Sequence, residues 1–518
     1  MHHCLRIGEI VSQIFYELDS HIYDTRMRFP RRIVHRSESA LRTLAALART
    51  CQAFREPALD VLWREIPDLF VMINHLIPAE LLGYDEMGKV LVLRQEPHPD
   101  VWRALDPYVA RIRVVGIPPP SGVIVRGLDP QTVLQPLQRH LAQDAVGGDI
   151  LFPKLEHVVY QAFWEHELHS RLLLQPNLQV LQLPLMAYTM ASQWNLSPPT
   201  DEHMVTAVGR SIHALSNHVQ TALKKMDNLP LREVSVSIAH TDAPYFLAHI
   251  DPESLEAVNI HWEYLYSDAG SSGAVLQQLF AALSSLPKVK HVSVALDAEM
   301  EKMIHIVDGG PDNPQSQRLK GLADSSFELG TVLSLTTLRT LEIGIDVVFQ
   351  VDEEFLLALA EKMPHLESLR LTPLLRAPFS FEYSAQDDSN DMLDIPNLDG
   401  LLAFVERCTK LTTLRLAVCA SLSGGSPPRL DGNVTPSSCG VRTLELWTTA
   451  LEPGLPDEVF VAFFVDAFPS LEEFCVVLPT SHPERDATLP RNEARARWER
   501  VAGDVSASLV HVQNFACI

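Results

Sequence analysis

The sequence predicts an α/β repeat solenoid, in which parallel strands alternate with helices. A short string of the form apolar-x-x-apolar-x-apolar recurs after residue 150, beginning for example at Leu155, Leu366 and Leu411. Amphipathic helices precede several of these strings, and 518 residues are more than one compact core usually holds. A repeated unit of this size cannot bury its apolar face alone, so neighbouring units must stack.

The strings predict where the strands lie. Their first apolar residues are separated by steps of between 23 and 53 residues, and they are Leu155, Leu178, Leu231, Leu255, Val289, Leu338, Leu366, Leu411, Val441 and Leu471. Steps of 20–29 residues are typical of leucine-rich repeats, whereas steps near 50 indicate a hidden repeat or an insertion. We expect parallel strands on the concave face of the solenoid and helices on its convex face.

Helices are predicted before several strands. They span residues 273–286, 352–363, 398–408 and 458–468, and Asp352 and its acidic neighbours suit a helix N-terminus. Residues 372–396 and 420–438 are polar or rich in Gly and Pro, so both are predicted to be loops inserted between repeats. A charged helix over residues 491–501 is expected to cap the array.

The first 66 residues differ from the repeats. A stripe at helical spacing (Ile7, Ile10, Ile14 and Leu18, with Val11 and Phe15 beside it) predicts one helix. A basic insert over residues 20–40 is expected to be an exposed loop. A second stripe includes Leu44 and Leu47, and Pro57 is predicted to open a third helix, because its missing N–H is harmless there.

Four regions follow from these patterns. They are a helical module over 1–66 with its insert at 20–40, a connecting region over 67–150 with a possible first irregular repeat near 109–114, repeats over 151–480, and a capping helix with a tail over 481–518.

The composition argues against several classes of function. The net charge is −23, and residues 1–65 carry about +2, so the rest of the chain is strongly acidic. Nucleic-acid binding needs dense Lys and Arg, so a protein partner is favoured instead. The seven cysteines include no CxxC pair, which favours reduced thiols in the cytoplasm or nucleus rather than disulfides or zinc. No apolar run is long enough for a membrane span, and the N-terminus does not resemble a secretory signal.

Signatures of common enzymes are also missing from the sequence. It contains no HExxH, GxSxG, GxxxxGK[ST] or GxGxxG, so we expect no catalytic residues, cofactor or metal. A binding protein is the favoured interpretation, and an enzyme on a repeat scaffold is a third hypothesis that would need a polar pocket.

The N-terminal strings resemble those of a known family. Residues 5–18, LRIGEIVSQIFYEL, look like the first helix of an F-box, and residues 43–63, TLAALARTCQAFREPALDVLW, look like its remainder. The second string is similar to the F-box-like N-termini of leucine-rich-repeat proteins of mushroom-forming (basidiomycete) fungi. Residues 5–6 are Leu-Arg where the usual F-box opens with Leu-Pro, and the insert separates the first two helices.

The resemblance implies a substrate receptor of an SCF-type cullin-RING ubiquitin ligase. The helices would bind a Skp-type linker protein and through it cullin, the repeats would hold a protein target, and other subunits would transfer ubiquitin. The residues that match the family pattern divide between the core of the module and the linker interface, and they are Leu5, Ile7, Ile10, Ile14, Phe15, Leu18, Leu44, Leu47, Cys51, Phe54, Pro57, Leu59, Leu62 and Trp63.

A simpler hypothesis is a leucine-rich-repeat scaffold whose N-terminal helices only cap the array and that has no role in ubiquitin transfer. Exposed apolar surface separates the two, because a docking module leaves an apolar patch that a cap does not. In either case the target-binding candidates lie between the framework leucines, and they are Glu156, His157, Glu367, Ser368, Thr412 and Thr413.

Overall fold

The computed structural model describes the chain in segments, and all structural statements below concern those segments. They are residues 8–18, 21–23, 33–36, 38–85, 90–116, 127–143, 151–159, 172–173, 177–183, 230–239, 247, 250–263, 272–296, 326–345, 348–349, 351–373, 396–419, 439–448, 455–477 and 489–516. The chain divides into two compact units. Unit 1 comprises Met1–Ile238 and Ala248–Leu255, and unit 2 comprises Ala239–Leu247 and Glu256–Ile518.

Unit 1 begins with three helices. They are α1 (Gly8–Leu18), α2 (Glu38–Leu47) and α3 (Gln52–Leu62). The insert between α1 and α2 was predicted as a loop, and this is wrong at both of its ends. β1 (His21–Tyr23) and β2 (Ile33–Arg36) pair as an antiparallel ribbon, because backbone groups on facing segments satisfy one another. Residues 24–32 lie outside the described segments.

Pro57 does not open α3. The helix begins at Gln52 after Cys51 at its N-cap, so Pro57 lies inside it. The residues before Pro57 are drawn into the helix by packing, since the Phe54 ring meets the Phe15 ring edge-on with centroids 5.7 Å apart. In the second turn the proline has no N–H to donate to the carbonyl four residues earlier, and Ala58 directly after it is fully buried.

The connecting region of unit 1 contains further short elements. They are β3 (Glu65–Ile66), α4 (Leu69–Leu76), a 3₁₀ turn (Ala79–Leu81), β4 (Leu82–Tyr84), β5 (Val90–Leu93), α5 (Pro99–Arg103), α6 (Asp106–Val109), β6 (Val114–Val115), β7 (Gly127–Leu128), a π-type turn (Pro130–Leu134) and α7 (Gln135–Gln143). β4 and β5 are antiparallel, and β7 joins β5 in parallel. The carboxylate of Asp68 caps α4 by accepting the Val71 N–H at 2.7 Å.

A ladder of parallel strands forms in unit 1. β3 pairs with β6, then follow β8 (His157–Val159), β9 (Val180–Leu183) and β10 (Glu233–Ala239) in that order. Val114 begins β6, so the possible irregular repeat near residues 109–114 does contribute a strand, but only at its end. β3 is a further strand that the string pattern did not predict.

Unit 2 contains a longer ladder of parallel strands. Its strands pair in the order β11 (Ala257–Glu263), β12 (His291–Leu296), β14 (Thr340–Ile345), β16 (Ser368–Pro373), β17 (Thr413–Val418), β18 (Thr443–Thr448) and β19 (Glu473–Val477). A separate parallel pair consists of β13 (Ser326–Phe327) and β15 (Val348–Phe349). The α/β class and the parallel strands are therefore confirmed, and the ladder is compatible with leucine-rich repeats.

The predicted first apolar residues define these strands closely. Each of the ten is at most 1% exposed. Each also lies two residues before the strand it announces, as Leu366 does before β16 and Leu411 before β17. The residue between each framework residue and its strand helps to fix the register of the next strand, as Glu367 shows. The Glu367 carbonyl accepts both the Thr412 N–H at 2.8 Å and the Thr413 N–H at 3.2 Å from the next strand.

Helices precede strands in unit 2 as predicted. They are α8 (Ser272–Ser284), α9 (Glu353–Lys362), α10 (Leu398–Arg407) and α11 (Asp457–Ala467), with a 3₁₀ helix at Leu329–Ser334. Side-chain caps fix two of the starts. Asp352 accepts the Phe355 N–H at 2.6 Å, and Asn397 accepts the Gly400 N–H at 2.8 Å. Most of the two predicted insertions, residues 374–395 and 420–438, lies outside the described segments.

The C-terminal helix is longer than the charged segment that predicted it. α12 runs over Leu489–Ala516. It packs on α11 through Trp498, Val501 and Val505, each at most 2% exposed. The Trp498 ring lies 6.3 Å from that of Phe464, centroid to centroid. The helix thus covers apolar side chains that the last repeat would otherwise expose to water.

Candidate protein-binding surfaces

The N-terminal helices share one small core. Its buried residues are Val11, Phe15, Leu44, Ala58 and Val61, and Leu47, Ala48, Phe54 and Leu62 pack around them partly buried. Val61 was not among the predicted site residues, although it is fully buried near the end of α3. A core of this size holds three helices together but leaves other apolar side chains outside it.

An exposed apolar stripe runs along α1 beside its buried face. Ile10, Ile14 and Leu18 are 38%, 41% and 39% exposed. Their spacing of four residues places them on one face of the helix, next to the face that Val11 and Phe15 bury. We call these three residues the α1 stripe. The apolar residues that the sequence predicted for α1 therefore fall into two groups, with Phe15 in the core and Ile10, Ile14 and Leu18 at the surface. The sequence alone could not decide this division.

The remaining predicted linker-binding residues lie elsewhere. Leu44 is fully buried, so it belongs to the core. Leu5 and Ile7 lie outside the described segments, and the half-buried residues are Leu47, Cys51, Phe54, Pro57, Leu59, Leu62 and Trp63. The Trp63 ring packs against Tyr108 with centroids 4.8 Å apart, so it joins the module to the connecting region.

Charged contacts fix α3 to the start of the unit 1 ladder. Arg111, just before β6, donates to the carboxylates of Glu56 and Asp60 on α3. The Arg111 side chain is only 17% exposed, so these pairs are shielded more than surface pairs are. In addition, the Arg64 guanidinium lies 5.2 Å from the centre of the Tyr16 ring on α1. These contacts therefore attach α3 and α1 to the segments just before β6 and β3, while the α1 stripe stays exposed.

The strand residues predicted to contact a target are mostly engaged within the ladder. Glu156 pairs with Arg113 at 2.7 Å, and Glu367 pairs with Arg339 at 3.4 Å. The Thr412 hydroxyl donates to the Glu367 carbonyl at 2.9 Å.

Ser368, Thr413 and His157 complete the predicted set. Ser368 is half-buried at the start of β16. Thr413 is 2% exposed, so its prediction as a target contact is wrong, because a side chain enclosed by its neighbours cannot reach a partner. His157 is half-buried on β8. Burial lowers the pKa of its imidazole to about 4, and the charge of Glu65 and a hydrogen bond with Gln182 offset only part of this. The imidazole is therefore neutral near pH 7.

A different row of half-buried side chains carries charge on the unit 2 ladder. Glu342, Arg370, Arg415 and Glu445 occupy paired positions on β14, β16, β17 and β18. Each lies four residues after its framework residue. Arg370 pairs with Glu342 at 3.6 Å, and Arg415 pairs with Glu445 at 2.8 Å. We call these four residues the charged row. The prediction considered only the two positions after each framework residue and therefore missed them.

The row continues with uncharged residues toward β11. Ser293 donates to the Glu342 carboxylate at 3.1 Å, and Asn259 is the paired position beyond it. Asn259 is 2% exposed, and neither polar atom of its amide has a hydrogen-bond partner among the residues that the structure describes. At the other end of the row, Cys475 is exposed, and burial and the charge of Glu445 raise the pKa of its thiol. This thiol is therefore protonated near pH 7.

Metal-ligand clusters and membrane-spanning helices are both absent from the described segments. Within them, no group of three His, Cys, Asp or Glu side chains is placed to hold a metal ion. No helix in these segments is both long and apolar enough to cross a bilayer. Among the residues that the structure describes, Cys51, Cys408, Cys419, Cys439 and Cys475 form no disulfide with one another.

Comparisons with known proteins leave the family open. No family model matches the sequence, and no curated protein matches it. One similar solved structure is the leucine-rich repeat-containing protein LegL7 from Legionella pneumophila, with 11% identity and a TM-score of 0.22 over 64% of this chain and 91% of that one. A score this low supports no inference, so the description of the repeats rests on the ladders themselves. The resemblance to an F-box and to fungal proteins stays a prediction.

Proposed function

We propose that this protein is a substrate-recognition subunit of an SCF-type ubiquitin ligase. In this proposal the N-terminal helices bind a Skp-type linker protein, which bridges to cullin, and the strand ladders hold a protein target. The chain itself catalyses nothing. It raises the concentration of the target near the ubiquitin that other subunits transfer. Free thiols, including the buried Cys408 and Cys439, suit the cytoplasm or nucleus, where we place it.

The α1 stripe is the observation that carries the proposal. Ile10, Ile14 and Leu18 are exposed on a helix whose neighbouring face buries Val11 and Phe15. Three aligned apolar side chains in water are unfavourable unless a partner covers them, and a helical face of this kind commonly binds a partner. The F-box resemblance supplies the identity of the partner.

The alternative is a repeat scaffold whose N-terminal helices serve only as a cap. The contacts of Arg111 with Glu56 and Asp60 favour it, because they attach α3 to the first strands as a cap requires. A cap, however, does not need exposed isoleucines on α1. The two functions therefore differ in one measurable property, which is whether the α1 stripe binds another protein.

The test is binding of the full chain to a Skp-type linker by calorimetry. We expect Ile14→Glu to weaken binding by a factor of about 30 or more, equivalent to about 2 kcal/mol for a buried interface anchor. Gln13→Glu is the charge control, because Gln13 is exposed on the same helix and the change adds the same charge, while it also removes the bond that the Gln13 amide donates to the Glu17 carboxylate at 2.8 Å. It should leave the affinity within about threefold.

A third variant separates binding from folding. Phe15→Ala removes a core ring that is 4% exposed, so it should destabilise the module by about 3–5 kcal/mol. Circular dichroism should show Ile14→Glu as folded as the wild type. If the well-folded wild type does not bind the linker, or Ile14→Glu binds as well as Gln13→Glu, the receptor proposal fails and the scaffold remains.

A further inference from the structure

The charged row has an order of charges that its own pairs do not explain. Reading from β14 to β18, the order is negative, positive, positive, negative. Each arginine pairs outward, Arg370 with Glu342 and Arg415 with Glu445. The two arginines are themselves paired positions on neighbouring strands. Like charges placed directly opposite each other are destabilising, and the row contains no carboxylate between them.

The row is accessible to a partner. The exposed fractions of the side chains are 24% for Glu342, 23% for Arg370, 30% for Arg415 and 26% for Glu445. Charges that are partly shielded from water interact more strongly with a partner than fully exposed ones do. Every second residue of a strand points to the same side, so all four side chains project from the face opposite the adjacent buried strand residues, which are Leu341, Leu369, Leu414 and Leu444.

The spacing of the row matches an extended peptide that crosses the strands. Neighbouring strands lie roughly 4.8 Å apart, so the midpoint between the arginines is roughly 7 Å from each glutamate position. In an extended chain, residues i and i+2 point the same way and are roughly 6.7 Å apart. A segment with the order basic-x-acidic-x-basic would therefore place its carboxylate at the arginine pair and its two cations at the glutamates.

We propose that the charged row binds an extended segment of a protein target with the pattern basic-x-acidic-x-basic. Arg370 and Arg415 hold the central carboxylate of the target, and guanidinium groups suit carboxylates in geometry as well as charge. Glu342 and Glu445 each receive a cation, since a carboxylate has about four acceptor sites and can hold more than one donor. A doubly charged phosphate is less suitable, because the two glutamates flank the arginines.

This inference rests on the proposed function only in that the ladder holds a protein target. Linker binding to the α1 stripe is a separate measurement. A chain that binds the linker but not the peptide would lose only this inference, and the reverse result would lose only the ligase role.

The experiment uses three synthetic peptides and fluorescence anisotropy with the full chain. The first contains Lys-Ala-Glu-Ala-Lys. The second contains Glu-Ala-Lys-Ala-Glu, in which each charge has the opposite sign, and the third contains Lys-Lys-Ala-Ala-Glu. The third has the same composition as the first, so it controls for nonspecific attraction to a chain of net charge −23. We expect the first peptide to bind at least tenfold more tightly than the third. Binding should weaken when the salt concentration is raised.

A four-residue exchange provides the decisive variant. Glu342→Arg, Arg370→Glu, Arg415→Glu and Glu445→Arg together keep the net charge and both internal pairs but invert the sign of the charge at each of the four positions. We expect this variant to prefer the second peptide and to lose the first by at least tenfold. A milder double variant, Arg415→Gln with Glu445→Gln, serves if the exchange does not fold, and it should also lose the first peptide. Equal binding of the first and third peptides by the folded wild type would overturn the proposal.

Discussion

Gly116 offers a stringent test of how the first strands of the ladder pack. It follows β6 directly with φ at +102°, a backbone conformation that residues with a side chain rarely adopt. A Cβ built at this position would lie 1.8 Å from the Val159 carbonyl oxygen at the end of β8. No rotation of a side chain relieves this contact, because the obstructing atom is in the backbone.

The cost of Gly116→Ala follows from these two observations. A non-glycine residue in such a conformation costs about 1–3 kcal/mol, and overpacking at a tight contact adds about 1–3 kcal/mol. We therefore expect a loss of about 2–6 kcal/mol in the stability of unit 1. The Gly116 N–H bond to the Ile66 carbonyl, now 3.0 Å, should be lost as well when the strand ends separate.

The assay is urea denaturation followed by tryptophan fluorescence, combined with hydrogen exchange of the amides of β6 and β8. Gly330→Ala is the matched control, since nothing lies within 4 Å of the added methyl group and Gly330 has no positive φ. The control should shift stability by less than about 1 kcal/mol. If Gly116→Ala is as stable as Gly330→Ala, the strand ends do not approach as described and the reasoning is refuted.

Two further predictions concern buried or paired carboxylates. Burial raises the pKa of Asp68 to about 6 from 3.8, although backbone N–H bonds from Val71 and Phe70 partly oppose it. The contribution of Asp68 to stability is therefore complete below pH 3.8 and is lost as the pH rises through 6. Asp68→Asn keeps a capping oxygen, so its free energy of unfolding should rise relative to that of the wild type by up to about 3 kcal/mol between pH 4 and pH 7. A constant difference in denaturation midpoint between those two pH values would contradict this. Partial burial would raise the pKa of Asp457, but hydrogen bonds and charge from Arg497 and Arg500 hold this pKa below its usual value. The stabilisation that Asp457 provides is therefore present at neutral pH and is lost as the pH falls through the lowered pKa. Arg497→Met should therefore weaken the packing of α12 on α11 by about 1–3 kcal/mol at pH 7. The loss should be smaller at the lowest pH, where only the pH-independent bond from Arg497 to the Leu455 carbonyl is removed, and limited proteolysis of the C-terminal helix would reveal the difference.

Much of the ladder was predictable because its signal is local. A strand whose inner face is buried must carry apolar residues at fixed offsets, and Leu338, Leu366 and Leu411 show that pattern without any knowledge of their neighbours. The helices were predictable for the same reason, with Asp352 and Asn397 capping two of them. Pro57 was misplaced because its effect depends on tertiary contacts of Phe54, which no local pattern contains.

The candidate surfaces were less predictable than the strands. Ile14 and Phe15 are equally apolar in the sequence, and only the position of α3 makes one exposed and the other buried. Thr413 looked like a surface residue because it is polar, but the neighbouring strands enclose it. The positions of Arg370 and Arg415 could have been read four residues after Leu366 and Leu411. Their apposition, however, depends on which strands are neighbours in space.

The sequence by itself determined the repeat class, the ten framework positions and the existence of three N-terminal helices, because each depends on burial of one face of a short segment. The tertiary structure alone decided which apolar side chains of α1 remain exposed, how Gly116 meets β8, and in which order the charges of the row face a partner. These features arise between segments that are distant in the chain, and their physical cause is the register in which the strands and helices pack.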